Sequence, residues 1–175
     1  MAFFKEDLMK VKAFVFDVDG VLSTESMNID SDGGLQRTAN TKDGYAIQYA
    51  VKKGYPVAII TGGVSQAVEL RYRGLGVENM YMGSKDKIED FKDLVTRYDL
   101  NPAEILYMGD DLPDFEVMKQ VGIPTCPANA VEQIKSISSY ISDKEGGHGC
   151  VRDVVEQVLR AHGKWMDTDL LVRSI

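Results

Sequence analysis

Cysteine and long apolar runs are both scarce in this sequence. Only two cysteines, Cys126 and Cys150, occur among its 175 residues. They are too few and too far apart for a disulfide framework or a zinc site, and we expect reduced, partly buried thiols. No run of eighteen apolar residues occurs, so no transmembrane helix is predicted. The first residues also lack the apolar stretch and cleavage site of a secretion signal, which favours a cytoplasmic protein without a membrane partner.

Positive charge is also in short supply. Lys and Arg together number 20 against 27 Asp and Glu, which gives a net charge of -7 with no basic run. This balance argues against nucleic acid as a partner. An acidic protein can still bind an anionic small molecule where a metal ion and a few cationic side chains reverse the local field. Hydrophobic residues make up 44% of the chain. Because no repeat, linker or low-complexity segment interrupts it, we expect one domain over residues 1–175.

Short apolar runs alternate with longer amphipathic stretches. The apolar runs cover residues 11–16, 55–60, 79–82 and 104–108. The helical patterns cover residues 43–53, 64–75, 85–98, 114–121 and 151–162. This alternation predicts an α/β fold with a parallel sheet and helices on both faces. In such sheets the ligand site lies outside the carboxyl ends of the strands.

Two segments depart from this alternation. Residues 26–40 contain an Asp-Gly-Gly turn between two stretches and follow the first strand, which predicts a β-hairpin projecting over the site. An ordinary surface loop is the alternative. The tail, residues 163–175, is expected to be mobile without ligand and to close over a neighbouring active site. A frayed terminus, or one packed on its own subunit, is the alternative.

Asp17 and Asp19 directly follow the first apolar run. Side chains alternate along an extended chain, so these two carboxylates point the same way and can share one cation. Hard oxygen ligands of this kind suit Mg²⁺, which also coordinates substrate phosphate. One carboxylate can then attack phosphorus while the other transfers protons. A Ca²⁺ loop would need further ligands at alternate positions, and Val21 and Ser23 do not supply them.

Other polar residues follow the later strands. Thr61-Gly62 ends the second apolar run, where a hydroxyl and a backbone N–H form either an anion site or a simple helix cap. Lys87 stands near the start of a helix, where a cation gains nothing from the dipole and is either solvated or binds an anion. Asp110, Asp111 and Asp114 cluster after the fourth run. Their mutual repulsion calls for a cation or a lysine.

Taken in order, these motifs resemble all four motifs of the haloacid dehalogenase superfamily, over residues 11 to about 125. The resemblance implies a Rossmann-like three-layer α/β/α domain with Asp17 as nucleophile and Asp19 as general acid/base. Superfamily dehalogenases lack an acid at the position of Asp19 and transport ATPases carry Thr there, so this residue favours hydrolysis of a phosphate ester.

The same resemblance implies a role for each remaining motif residue. Mg²⁺ would be held by the Asp17 carboxylate, the Asp19 backbone carbonyl and Asp110. The phosphoryl group would be bound by Thr61, Gly62 and Lys87. Asp111 would hold a water on the Mg²⁺, and Asp114 would orient Lys87.

The intervals between the motifs are too short for the cap domain that most phosphatases of this superfamily carry. Several stretches resemble a narrower capless group, the tetrameric phosphatases of 3-deoxy-D-manno-octulosonate 8-phosphate. They include FDVDGVL (16–22), TKDGYAI (41–47), IITGG (59–63), MGDDLPD (108–114) and the glycine-rich element at 146–152. This resemblance implies a homotetramer in which the 26–40 hairpin contacts a neighbour, and a role in lipopolysaccharide precursor synthesis.

The substrate and its contacts leave alternatives open. A nine-carbon sugar-acid 9-phosphate is the close alternative, and the absence of a side chain at Gly63 favours the eight-carbon acid. The carboxylate of the sugar acid needs a cation, for which Arg71 is the first candidate, followed by Arg152, Lys42 and the tail residue Arg173. Two other classes remain, a non-catalytic regulatory tether of the same fold and a phosphotransferase or phosphomutase.

Overall fold

A six-stranded parallel sheet runs through the part of the chain that the computed structural model describes, residues 5–167. Its strands are β1 (Ala13–Phe16), β4 (Val57–Thr61), β5 (Asn79–Met82), β6 (Ile105–Met108), β7 (Ile123–Cys126) and β8 (Tyr140–Ile141). A separate two-stranded unit consists of β2 (Asn28–Ile29) and β3 (Leu35–Gln36). The sheet order is β5-β4-β1-β6-β7-β8, and every pairing within it is parallel. The predicted parallel sheet is therefore confirmed.

Helices cover both faces of this sheet. They are α1 (Lys5–Lys10), α2 (Thr41–Lys52), α3 (Gln66–Arg73), α4 (Lys87–Arg97), α5 (Phe115–Met118), α6 (Glu132–Ile137) and α7 (Cys150–Ala161). Phe14 and Phe16 point into a core shared with α1, α2, α3 and α7. Ala13 and Val15, on the opposite face of the same strand, pack in a second core with α4, α5 and α6. The period-two alternation of β1 thus separates two hydrophobic layers and completes the predicted three-layer fold. None of the helices in residues 5–167 has the length and apolar character needed to cross a bilayer.

The hairpin predicted after the first strand is present. Asn28 pairs with Gln36 and Ile29 with Leu35, in antiparallel register. Asp30 closes the turn, because its Oδ1 accepts hydrogen bonds from the backbone N–H groups of Asp32 (3.0 Å) and Gly34 (2.7 Å). The hairpin is therefore a local structure whose side chains are free for other contacts.

A glycine-rich segment before α7 packs on the loop that follows β1. A Cβ atom at Gly146 would lie 1.8 Å from the carbonyl oxygen of Gly20, so only glycine allows this approach. The N–H of Gly147 donates to the carbonyl of Val21 (2.8 Å). The end of the chain thus supports the loop that carries the first acidic motif.

The described part of the tail lies against its own chain. The ring of Trp165 is 4.9 Å from that of Tyr49 on α2, and Asp167 forms an ion pair with Lys53. The predicted mobile tail covered residues 163–175. Trp165 and Met166 contact Tyr49 on α2, and the tail beyond residue 167, including Arg173, lies outside the described residues.

Replacing Gly146 by Ala should destabilise the fold because the new methyl group collides with the Gly20 backbone. We expect a loss of about 3 kcal/mol in the free energy of unfolding, at the upper end of overpacking costs. Gly54→Ala is the matched control. Its φ of +84° is unfavourable for Ala, but no atom lies within 4 Å of the new Cβ, so the loss should be near 1 kcal/mol. Urea unfolding measures the free energy of unfolding of both variants. Equal losses in the two would contradict the packing argument.

Candidate active site

Polar side chains from four motifs line one cavity of about 750 Å³ at the carboxyl ends of the central strands. Because β4, β1 and β6 are neighbours in the sheet, the residues that follow them meet at one edge. The sequence-predicted residues that line the cavity are Asp17, Asp19, Thr61, Gly62, Lys87, Asp110, Asp111 and Asp114. The structure therefore brings the predicted catalytic, phosphate-binding and metal-binding residues together.

Lys87 lies between two carboxylates. Its Nζ is 2.9 Å from Asp17 Oδ2 and 2.7 Å from Asp114 Oδ1, and all three side chains are almost fully buried. Burial disfavours the ammonium, but the charges of Asp17 and Asp114 outweigh it and raise the pKa of Lys87. The buried hydroxyl of Tyr107 donates to the same Asp114 Oδ1 (2.7 Å). Asp114 thus fixes the ammonium in front of Asp17.

Negative charge exceeds positive charge in this cluster. Carboxylate oxygens of Asp17, Asp110 and Asp114 all lie within 4.8 Å of one another. Burial and the Asp114 charge raise the pKa of Asp17 to about 7, although Lys87 opposes the shift. Burial and the charges of Asp17 and Asp114 raise the pKa of Asp110 to about 8. Lys87 alone therefore does not compensate these carboxylates.

A divalent cation fits this cluster. The Oδ1 atom of Asp110 is buried and has no hydrogen-bond partner among the described residues. Both oxygens of Asp114 are occupied, Oδ1 by Lys87 and Tyr107 and Oδ2 by the N–H of Asp110 (3.1 Å). Asp114 accepts three hydrogen bonds, whereas Asp17 accepts two, from the N–H of Val18 (2.7 Å) and from Lys87 (2.9 Å). Asp110 and Asp17 therefore keep the most acceptor sites for Mg²⁺, a hard cation that prefers oxygen ligands. Gly20 allows this arrangement, since a Cβ there would lie 2.0 Å from Asp110 Oδ2.

Thr61 is not the cap of the following helix. Helix α3 begins at Gln66, and Ser65 caps it through a hydrogen bond from the N–H of Val68 (3.3 Å). Thr61 is buried at the end of β4, and its Oγ accepts from the N–H of Gly63 (3.2 Å). The helix-cap interpretation of Thr61 is therefore wrong, and its role in anion binding stays a prediction.

Arg37 was missed by the sequence analysis. It follows β3 directly, and its Nε and Nη2 atoms lie 2.7 and 2.8 Å from the two carboxylate oxygens of Asp19. The available signal was its position in a hairpin expected to project over the site. Glu25, which also lines the cavity, was missed as well, and it lies one residue before the predicted hairpin.

The cations proposed for the sugar carboxylate lie elsewhere in the chain. Arg71 is exposed on α3 beside Gly44, and it does not line the active-site cavity. Lys42 and Arg152 line a second cavity of about 370 Å³ beside the start of α7. The guanidinium of Arg152 stacks on Trp165 at 5.4 Å and pairs with Glu156. Their binding role stays a prediction, and within one described chain they do not reach the cluster.

Comparison with known proteins gives a consistent set of relatives. The model of the haloacid dehalogenase-like hydrolase family matches residues 79–152. The 3-deoxy-D-manno-octulosonate 8-phosphate phosphatases of Salmonella typhi and Escherichia coli K12 are each 36% identical over 154 residues. The matched region covers 88% of this chain and 82% of either relative.

Solved structures agree with these relatives. The 3-deoxy-D-manno-octulosonate 8-phosphate phosphatase of Yersinia pestis superposes with a TM-score of 0.88 at 32% identity, over 91% of this chain and 86% of that one. The corresponding enzyme of Moraxella catarrhalis, in complex with a magnesium ion, a phosphate ion and the sugar acid, superposes with a TM-score of 0.85 at 33% identity. That match covers 90% of each chain.

The acidic cluster should make stability depend on both pH and Mg²⁺. Asp17 and Asp110 have pKa values of about 7 and 8 in the folded metal-free chain, above their ordinary 3.8. The folded state therefore binds more protons than the unfolded state between pH 4 and 8, and the free energy of unfolding should fall as pH rises through that window. Mg²⁺ requires the deprotonated carboxylates, so its stabilising effect should grow over the same window.

Urea unfolding at pH 5, 6.5 and 8, with a chelator or with Mg²⁺, measures this dependence. The Asp110→Asn variant should lose much of the Mg²⁺ effect at pH 8. Stabilisation by Mg²⁺ that is equal at pH 5 and pH 8 would contradict the assignment.

Proposed function

This chain belongs to the haloacid dehalogenase-like hydrolases, and we propose that it is a Mg²⁺-dependent phosphatase that converts 3-deoxy-D-manno-octulosonate 8-phosphate to the free sugar acid and phosphate. The observation that carries this proposal is the Asp17 carboxylate at the end of β1, with the Lys87 ammonium 2.9 Å away and the unpartnered Asp110 oxygen in the same cluster. The reaction would supply the free sugar acid for lipopolysaccharide precursor synthesis.

Hydrolysis proceeds in two steps at Asp17. A carboxylate oxygen of Asp17 attacks phosphorus, the bond between phosphorus and the sugar oxygen breaks, and the carboxyl group of Asp19 gives its proton to the departing oxygen. Water then attacks the phosphorus of the aspartyl phosphate, and its proton passes to Asp19. The bond to Asp17 breaks, which releases phosphate and restores both carboxyl groups to their starting states.

The phosphoryl oxygens are held by positive charge and polar hydrogens during both steps. Lys87 supplies the buried ammonium, and Thr61 with the backbone of Gly62 supplies polar groups on the β4 side of the cavity. When bound by Asp17, Asp110 and the Asp19 carbonyl, Mg²⁺ offsets the negative charge of the same oxygens. Asp111 is exposed and lines the same cavity, where it can accept a hydrogen bond from water.

We further propose a cytoplasmic homotetramer in which the hairpin covers a neighbour's cavity. Ile29 is 72% exposed and Leu35 is 47% exposed, an apolar surface that an isolated chain would leave in water. Arg71, Arg152 and Lys42 do not line the cavity of their own chain, so contact with the sugar carboxylate would come from an adjacent subunit. Both cysteines are free and buried, as suits a reducing compartment.

Asp17→Asn should abolish turnover while the chain stays folded. The amide is a poor nucleophile, and we expect phosphate release from the eight-carbon sugar-acid phosphate to fall by roughly 10³-fold or more. Thermal unfolding should show no loss of stability, because burial disfavours the ionised form of Asp17. Asp7→Asn, which removes only an exposed partner of Lys10, is the matched control and should keep full activity.

The same phosphate-release assay decides the substrate when the wild-type enzyme is tested with nine-carbon sugar-acid 9-phosphates. Faster hydrolysis of those compounds would overturn the eight-carbon assignment. An Asp17→Asn variant that retains turnover would overturn the mechanism.

Charge on the hairpin should dissociate the proposed tetramer. The double variant Ile29→Asp, Leu35→Asp places two carboxylates on the apolar surface, so light scattering should report smaller species and the KM should rise. Met9→Asp serves as the control, because Met9 is 48% exposed on α1, which precedes β1 and lies at the other end of the sheet. Wild-type protein that is monomeric and fully active would refute this assembly.

A further inference from the structure

Both carboxylate oxygens of Asp19 are bound by one side chain from the hairpin. Arg37 Nε donates to Oδ1 at 2.7 Å and Nη2 donates to Oδ2 at 2.8 Å. The Arg37 side chain is 9% exposed, whereas that of Asp19 is 33% exposed. The hydrogen bonds to Asp19 raise the pKa of Arg37 above its ordinary value, although burial opposes this shift. A bidentate pair of this kind fixes the plane of the carboxyl group as well as its position.

The backbone on either side of Arg37 is anchored. Leu35 and Gln36 form the second strand of the hairpin. The N–H of Thr38 donates to Ser23 Oγ (2.9 Å), and the N–H of Thr24 donates to Thr38 Oγ1 (3.1 Å). The guanidinium therefore extends from a backbone segment that is hydrogen-bonded to the loop carrying Asp19.

Gly63 provides the space for this pair. A Cβ atom at Gly63 would lie 2.4 Å from Arg37 Nη2 and 3.2 Å from Asp19 Oδ2. Any side chain at this position would displace the guanidinium or the carboxylate. The absence of a side chain at Gly63 thus permits the contact between Arg37 and Asp19, whichever substrate is bound.

Burial of the Arg37 side chain leaves a substrate little access to its remaining N–H groups. Nη1 faces the carbonyl of Leu35 at 3.5 Å, and the side chain is nine-tenths buried. Asp19, in contrast, keeps acceptor capacity. A carboxylate offers about four lone-pair sites, and the guanidinium occupies one on each oxygen. A proton can therefore enter or leave Asp19 while the pair stays intact.

We propose that Arg37 is a positioning residue for proton transfer by Asp19, and that Gly63 is required because it leaves room for Arg37. This inference rests on the proposed function, in which Asp19 protonates the leaving group. Arg37 orients the carboxyl group towards the departing oxygen without binding the phosphoryl group. Loss of the pair should therefore slow leaving-group departure and leave substrate affinity nearly unchanged.

The dependence on the leaving group tests this role. An alkoxide needs a proton from Asp19 as it departs, whereas a nitrophenolate leaves without one. In Arg37→Ala, release of the alcohol product in the first turnover should slow at least about tenfold, both for a simple alkyl phosphate and for the sugar-acid phosphate. Release of p-nitrophenolate from p-nitrophenyl phosphate should slow by no more than about threefold. The KM values of all three substrates should be unchanged. Arg37→Lys should recover only part of the loss, because an ammonium does not form the bidentate contact.

Gly63→Ala provides an independent test because it keeps the Arg37 side chain and disturbs its contact with Asp19 by steric overlap alone. It should reproduce the same contrast between alkyl and aryl phosphates. The double variant Arg37→Ala, Gly63→Ala should be no slower than Arg37→Ala, since both changes act on one pair. Arg97→Ala, which removes an exposed ion pair with Asp93 on α4, is the matched control and should change neither rate.

Equal slowing of alkyl and aryl phosphates, a change confined to KM, or multiplicative losses in the double variant would each overturn the proposal. If Arg37→Ala does not fold, the contrast in Gly63→Ala decides the question. Wild-type enzyme that hydrolyses the simple alkyl phosphate but not the sugar-acid phosphate would refute the proposed substrate. In that event the contrast between alkyl and aryl phosphates still decides the role of Arg37.

Discussion

The buried contact of Lys87 with Asp17 and Asp114 is the interaction on which the site depends. An ammonium is costly to bury without partners, and the two carboxylates would repel each other without it. One positive charge does not balance these two carboxylates, and Asp110 adds a third, so the cluster has an excess of negative charge that a divalent cation can offset. Tyr107, hydrogen-bonded to Asp114 from the fully buried β6 strand, ties this charge arrangement to the hydrophobic core.

The sheet order explains why these charges meet at all. Strands β4, β1 and β6 are adjacent and parallel, and each ends in a polar motif. Burial of both faces of the central strands stabilises this order. The hydrophobic alternation of the sequence thus positions Asp17, Thr61 and Asp110, although none of the core residues takes part in the chemistry.

Sequence patterns predicted the elements whose periodicity is regular and missed those set by tertiary contact. The central strands and the longer helices were recognised, because apolar spacing records which face is buried. Strand β7 was missed because Pro124 interrupts it, and β8 because it has two residues. The pairing of Arg37 with Asp19 leaves no periodic pattern in the sequence, so it is visible only in the folded structure. The role of Thr61 was ambiguous for a similar reason, since a helix cap and an anion site could not be distinguished until the start of α3 was known.

The contact between Gly146 and Gly20 has a consequence for the order in which the molecule matures during synthesis. The loop after Asp19 emerges from the ribosome before most of the sheet, whereas the segment that supports it follows all of the central strands in the sequence. The central strands can pair before that segment is available, but the loop carrying Asp19 and Gly20 is supported only after the segment has been synthesised. A growing chain that lacks this segment can therefore hold much of the sheet and still lack a working catalytic centre.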